Sequence, residues 1–93
     1  MDLLKYNGFD DAIIGISLAQ PNREPCLIYD YDLCVEIVLK QGEMSVEDAE
    51  EFVTFNLVNV HIGESNPIFM IKNFTQDIDT DKKPKLRLVK WGL

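Results

Sequence analysis

Asp30-Tyr31-Asp32-Leu33-Cys34-Val35-Glu36-Ile37-Val38-Leu39-Lys40-Gln41-Gly42-Glu43-Met44-Ser45-Val46-Glu47-Asp48-Ala49-Glu50-Glu51-Phe52-Val53 decides the fold. Asp30 stands where a helix N-cap belongs, because its carboxylate can accept from the unpaired amides of a first turn. Leu33, Cys34, Ile37 and Val38 then fall at i, i+1, i+4 and i+5, one face of a helix. That helix runs to about Lys40, whose charge suits the negative end of the dipole, and Gly42 ends it. Ser45-Val46-Glu47-Asp48 is close to a capping box, with Asp in place of the preferred Glu or Gln. From there Ala49, Phe52, Val53, Asn56 and Val60 lie on one side of a second helix that stops at Gly63. Glu47, Glu50 and Glu51 lie largely on the other side. Gln41 to Met44 is short enough to close the two into an αα-hairpin.

Outward from this pair the pattern changes from helical to extended. Upstream, Ile14, Ile16 and Leu18 alternate with small or polar residues, which reads as a strand. Asp10-Asp11 offers a competing helix start, but Gly15 weakens it. Gln20 to Pro25 is a loop with two prolines, and Cys26 to Tyr29 reads as a short buried strand that closes a hairpin. Downstream, Glu64 to Pro67 is a turn, Ile68 to Ile71 a strand, Asp77 to Pro84 a polar loop and Leu86 to Trp91 an alternating final strand. The expected fold is α+β in the order β-β-α-α-β-β, a small antiparallel sheet packed on a two-helix hairpin. At 93 residues and 46% hydrophobic content, the chain reads as one globular domain, 1–93, with room for one core. A homodimer is compatible with that size.

Charge is divided along the chain. Met1 to Glu64 holds thirteen acidic and three basic residues; Ser65 to Leu93 holds three acidic and six basic. No Lys or Arg lies between Lys40 and Lys72, while Glu43, Glu47, Asp48, Glu50, Glu51 and Glu64 do. An acidic face of this kind repels phosphate backbones and attracts basic surfaces. It argues against a DNA-reading helix–turn–helix, because the second helix would bring carboxylates to the phosphates. Lys82, Lys83, Lys85, Arg87 and Lys90, with Trp91, form the opposite case. They could touch a nucleic-acid backbone and stack on a base, but an edge strand guarded by lysines against aggregation explains them more simply.

Residues that would carry chemistry do not gather. His61 is the single histidine, so no zinc-finger spacing exists. Asp77, Asp79 and Asp81 begin a calcium loop, but Lys82 and Leu88 occupy the positions that need Gly and Glu. The five glycines are dispersed, which excludes a phosphate cradle. Cys26 and Cys34 read as free thiols in a reducing compartment. Tyr29-Asp30-Tyr31-Asp32 sits at a strand-to-helix junction and, with His61, could bind a small polar ligand or nucleotide. The simpler reading is a cap, a packed ring and a first-turn acid. No signal segment or long apolar run is visible, so a cytoplasmic location is expected and Asn73-Phe74-Thr75 is read as a chance match to the glycosylation pattern. No cofactor is expected.

Three stretches carry a resemblance: Glu24 to Cys34, Gly42 to Phe52, and Phe55-Asn56 followed by Pro67-Ile68-Phe69. Together they are similar to small uncharacterised proteins encoded by tailed bacteriophages and prophages, over residues 9–71. The resemblance brings no catalytic residues with it. It implies a setting, the bacterial host cytoplasm, and a style of action, since acidic phage proteins of this size include inhibitors of nucleases and of CRISPR effectors. The expectation is therefore a non-enzymatic module that uses Glu43, Glu47, Asp48, Glu50 and Glu51 to bind a host protein with a basic, nucleic-acid-binding surface. The alternatives are a ligand or nucleotide binder and a nucleic-acid-binding accessory protein.

Overall fold

A computed structural model of the chain describes residues 3–63 and 65–72. The elements are β1 (Ile13–Ile16), β2 (Leu27–Asp30), α1 (Tyr31–Gln41), α2 (Val46–Val53) and β3 (Ile68–Met70). A 3-10 turn, Asp10–Ala12, leads into β1, and a π-helical turn, Thr54–Val58, continues α2. The architecture is α+β, as the periodicity indicates. The expected final strand, Leu86 to Trp91, and the loop before it lie outside the described residues.

The hairpin forms as its turn chemistry dictates. Gln20 and Arg23 exchange two backbone hydrogen bonds of 3.0 Å. Between them Pro21 presets the backbone and Asn22 takes a left-handed φ of 68°, a conformation asparagine tolerates. β1 pairs antiparallel with β2, with Ile13 opposite Tyr29 and Ile16 opposite Leu27. A register shift between Ile13 and Gly15 inserts one extra residue. The alternation expected of Ile14, Ile16 and Leu18 persists across it, with all three on the exposed side. Ile13 packs against the core, while Ile14, Ile16 and Leu18 are exposed. Asp10 and Asp11 do open a helical turn, but it lasts three residues before the strand takes over.

The sheet corrects one expectation. It is mixed rather than antiparallel: the order is β1-β2-β3, and β3 runs parallel to β2, with Ile28, Tyr29 and Asp30 opposite Ile68, Phe69 and Met70. The reason is the length of the intervening chain. Parallel neighbours need a crossover of about a dozen residues or more, most often helical. Here α1, α2 and the π turn provide it and return the chain to the starting end of β2.

Both helix starts form as their sequences direct. Asp30 Oδ1 accepts from the Leu33 amide at 3.2 Å, and Ser45 Oγ accepts from the Asp48 amide at 3.1 Å. Ser45 is exposed, so a Ser45→Ala substitution removes the cap without disturbing packing. We expect it to cost about 1 kcal/mol, read as a shift in the urea midpoint at unchanged slope. Gly42 ends α1 in an extended conformation (φ −157°, ψ 179°), without the left-handed cap that glycine permits.

The second helix departs from a plain α-helix. The pattern predicts one piece toward Gly63, with Ala49, Phe52, Val53, Asn56 and Val60 on one side. Instead α2 ends at Val53, and the π turn carries an Asn59 amide to the Thr54 carbonyl at 2.9 Å. Ala49, Val53 and Leu57 form the buried row, and Phe52 and Asn56 are exposed. In a straight α-helix residues at i, i+4 and i+8 drift by roughly 80° around the axis. The wider turn takes up part of that drift and keeps Leu57 aligned with Ala49. These three residues pack with Cys34, Val35 and Val38 of α1 and with Leu27 and Tyr29 of β2. Ala49 is wholly buried, so its small side chain lets the two helices approach closely.

Candidate functional site

The acidic residues sit where α2 begins and on the face it turns away from the core. Glu43, in the loop between the helices, is exposed, as are Glu47, Asp48 and Glu51; Glu50 is half-buried. Glu47 and Asp48 lie in the first helical turn, where carboxylates favour the positive end of the dipole. The five do not form one uniform patch. Glu47, Glu50 and Glu51, spaced at i, i+3 and i+4, line a groove of about 740 Å³, whereas Glu43 and Asp48 stand outside it.

The groove lies along α2 and its π turn on one side and β3 on the other. Tyr31, Thr54, Phe55 and Val58 contribute from the helical side, and Phe69, Met70 and Ile71 from the strand and its exit. Tyr31 is held by its hydroxyl, which lies 3.4 Å from the Glu50 carbonyl, to which it donates, and 3.4 Å from Thr54 Oγ1. Phe55 is 64% exposed, although it is large and apolar. Met70 and Ile71 are also exposed. Among the described residues that line the groove there is no Lys or Arg. The lining is mostly apolar, with the three carboxylates among it.

β3 is positioned by three aromatic rings. Tyr29 stacks on Phe69 with centroids 5.3 Å apart, and Tyr6 meets both rings at 5.8 and 6.0 Å. Tyr6 also donates its amide to the Tyr29 hydroxyl at 2.9 Å and its own hydroxyl to the Leu57 carbonyl at 3.0 Å. One N-terminal residue thus ties β2 to the π turn. Burial raises the Tyr6 phenol above its ordinary pKa, with the Tyr29 phenol adding to it. Burial likewise raises Tyr29, partly opposed by the hydrogen bond from the Tyr6 amide.

The groups considered for ligand chemistry are dispersed. Tyr29 is in the core, Asp30 is the helix cap and Asp32 is exposed. His61 is exposed and lines a different, polar concavity of about 760 Å³ with Arg23, Glu24 and Asn66; none of Tyr29 to Asp32 lines it. Cys26 and Cys34 are both free and buried. The Cys34 thiol is pushed up to about 11, first by burial and then by the nearby Asp30 carboxylate. That is the reverse of what activates a cysteine nucleophile. Among the described residues no cluster of three or more His, Cys, Asp or Glu side chains could hold a metal ion, and no helix is long and apolar enough to cross a membrane. The carboxylates of the aborted calcium pattern and the basic segment from Lys82 to Trp91 lie outside the described residues.

Sequence reading located the acidic residues but missed the groove beside them. Phe55, Met70 and Ile71 carry no local signal for it, since an apolar residue beside a buried row normally reads as core. Tyr6 was missed for a related reason: its partners lie 23 and 51 positions away. No protein-family model, no curated protein and no solved structure matches the chain.

Proposed function

We propose that the chain is a non-enzymatic protein-binding module that docks the acidic face of α2 on a basic surface of a host protein. The style of action is that of a phage inhibitor of a host defence complex, of the CRISPR-effector or nuclease type, working in the bacterial cytoplasm. The observation that carries this reading is the grouping of exposed Glu43, Glu47, Asp48 and Glu51 with half-buried Glu50 around one short helix. Capping and the helix dipole account for a carboxylate or two in a first turn. They do not account for exposed Glu43 and Glu51, which lie outside that turn. Displayed together, five carboxylates produce a field that extends over about one Debye length, about 8 Å at physiological salt. Such a field steers a basic partner into contact and rejects acidic ones.

The reading is tested by neutralising the helix face: Glu47→Gln, Asp48→Ser, Glu50→Gln and Glu51→Gln together. Far-UV circular dichroism of this variant should match the parent chain, with stability reduced by roughly 1 kcal/mol through loss of the dipole interaction. Affinity capture from bacterial lysate, quantified by mass spectrometry, should recover a basic protein with the parent chain and lose it with the variant. Binding to the parent should weaken steeply as salt is raised. Retention of the same partner by the neutralised variant would refute the acidic-face assignment.

A further inference from the structure

We propose that β1 is a dimerisation edge whose occupant is β1 of a second copy of this chain, paired antiparallel about a two-fold axis at Ile16. Among the described residues β1 has β2 on one side and an open edge on the other. The Ser17 amide donates to the Cys26 carbonyl at 2.8 Å, toward β2. Backbone groups alternate in direction along a paired strand, so those of Ile16 and Leu18 point to the open edge. Such an edge is a template for another strand, and proteins commonly guard it with Lys, Pro or a bulge. None of the eight residues from Ile13 to Gln20 is charged or a proline. The bulge lies between Ile13 and Gly15, at the entry, and leaves the strand after it regular.

The side chains of this edge fit a copy of themselves. Ile14, Ile16 and Leu18 are 37%, 58% and 84% exposed. They are evenly spaced about Ile16, so antiparallel pairing sets Ile16 opposite Ile16 of the other copy and Ile14 opposite Leu18. Every exposed aliphatic side chain of the strand then meets another, the kind of cross-strand pair that stabilises a sheet. Charge favours the same direction. The uncharged run is bounded by Asp11 before it and Arg23 after it. Antiparallel pairing brings the Asp11 end of one copy toward the Arg23 end of the other, whereas parallel pairing brings like to like. Because the strand itself is neutral, chains of net charge −7 can meet there without like charges directly opposed. The contact is isologous and closes at two copies. No residue of the acidic face lies on it, so this proposal stands or falls independently of that reading.

Sedimentation velocity on the full chain, from micromolar to millimolar concentration, tests the proposal. The mass should rise from 10.7 kDa to twice that value and stop there. Ile16→Lys removes two aliphatic side chains from the axis and sets two like charges opposite each other. It should weaken self-association about hundredfold and leave the far-UV circular dichroism unchanged. Leu18→Lys should act in the same direction. In the dimer the Ile16 and Leu18 amides should exchange with deuterium slowly, and in the Ile16→Lys variant rapidly. A mass of one chain at every concentration overturns the proposal, as does a dimer that neither substitution weakens. Slow exchange of the Ile16 and Leu18 amides in a chain of monomer mass assigns the edge to the chain's own residues and overturns it as well.

Discussion

Replacing Tyr29 by alanine is expected to lower the stability of the chain by about 3–5 kcal/mol, the range for removing a large buried aromatic. Tyr29 is fully buried on the central strand. Its ring stacks on Phe69 and meets Tyr6, and its hydroxyl accepts the Tyr6 amide. Truncation therefore opens a cavity, removes the support of β3 and orphans a backbone N–H at one stroke. Small domains have only about 5–15 kcal/mol to lose, so the variant should sit near its unfolding midpoint at 37 °C. Tyr29→Phe separates the contributions. It keeps the ring and removes only the acceptor, and should cost about 1 kcal/mol. Urea denaturation followed by circular dichroism measures both. A loss below 1 kcal/mol for Tyr29→Ala would show that the three-ring cluster does not support the fold.

The second large effect is expected at alkaline pH. The Cys34 thiol has an ordinary pKa of 9.0 and is pushed up to about 11 in the folded chain, by burial first and by Asp30 second. Folding holds the proton on, so the unfolded chain loses it at a lower pH. Below pH 9 both states are protonated and the contribution to stability is complete. From pH 9 to about 11 the unfolded chain ionises first and the stability falls. One pKa unit corresponds to about 1.4 kcal/mol, and solvent screening trims the full shift to roughly 1–2 kcal/mol. The raised phenols of Tyr6 and Tyr29 act in the same direction at higher pH. Urea midpoints taken from pH 8 to 11 should fall, and a Cys34→Ala variant should show a shallower decline between pH 9 and 11. An identical decline in that variant would remove Cys34 from the account. Stability that rises over this interval would contradict the burial of the thiol.

Much of the fold was legible because it rests on local chemistry. Asp30 and Ser45 act as caps within a few residues of themselves, so their roles can be read in the text of the chain. The Pro21-Asn22 turn and the buried strand after it are local in the same way. The acidic residues were also legible by position, since an exposed carboxylate on an amphipathic helix needs no tertiary partner to be recognised. The mixed sheet was not legible. Strand direction depends on how the crossover returns, and no residue of Ile68-Phe69-Met70 encodes it. The bulge in β1 and the π turn after Val53 were equally hidden, because each resolves a mismatch between two surfaces. The alternation of Ile14, Ile16 and Leu18 stands, but all three face outward, and it is Ile13, opposite Tyr29, that meets the core. Of the expected face, Ala49 and Val53 are buried and Leu57 joins them, while Phe52 and Asn56 are exposed, because the neighbours on α1 and β2 set the register.

By itself the sequence determined the class of fold, the two helices with their starts, the hairpin and the run of carboxylates around Ser45. Each of these follows from interactions that span a few residues, and the propensities and hydrogen bonds concerned are strong enough to act without tertiary help. Only the tertiary structure decided that β3 runs parallel to β2, that Tyr6 joins β2 to the π turn, and that three of the five acidic residues border an apolar groove. Those features depend on which surfaces meet. Packing selects the arrangement that buries Tyr29, Cys34 and Val53 completely, and the groove is what that choice leaves open between α2 and β3.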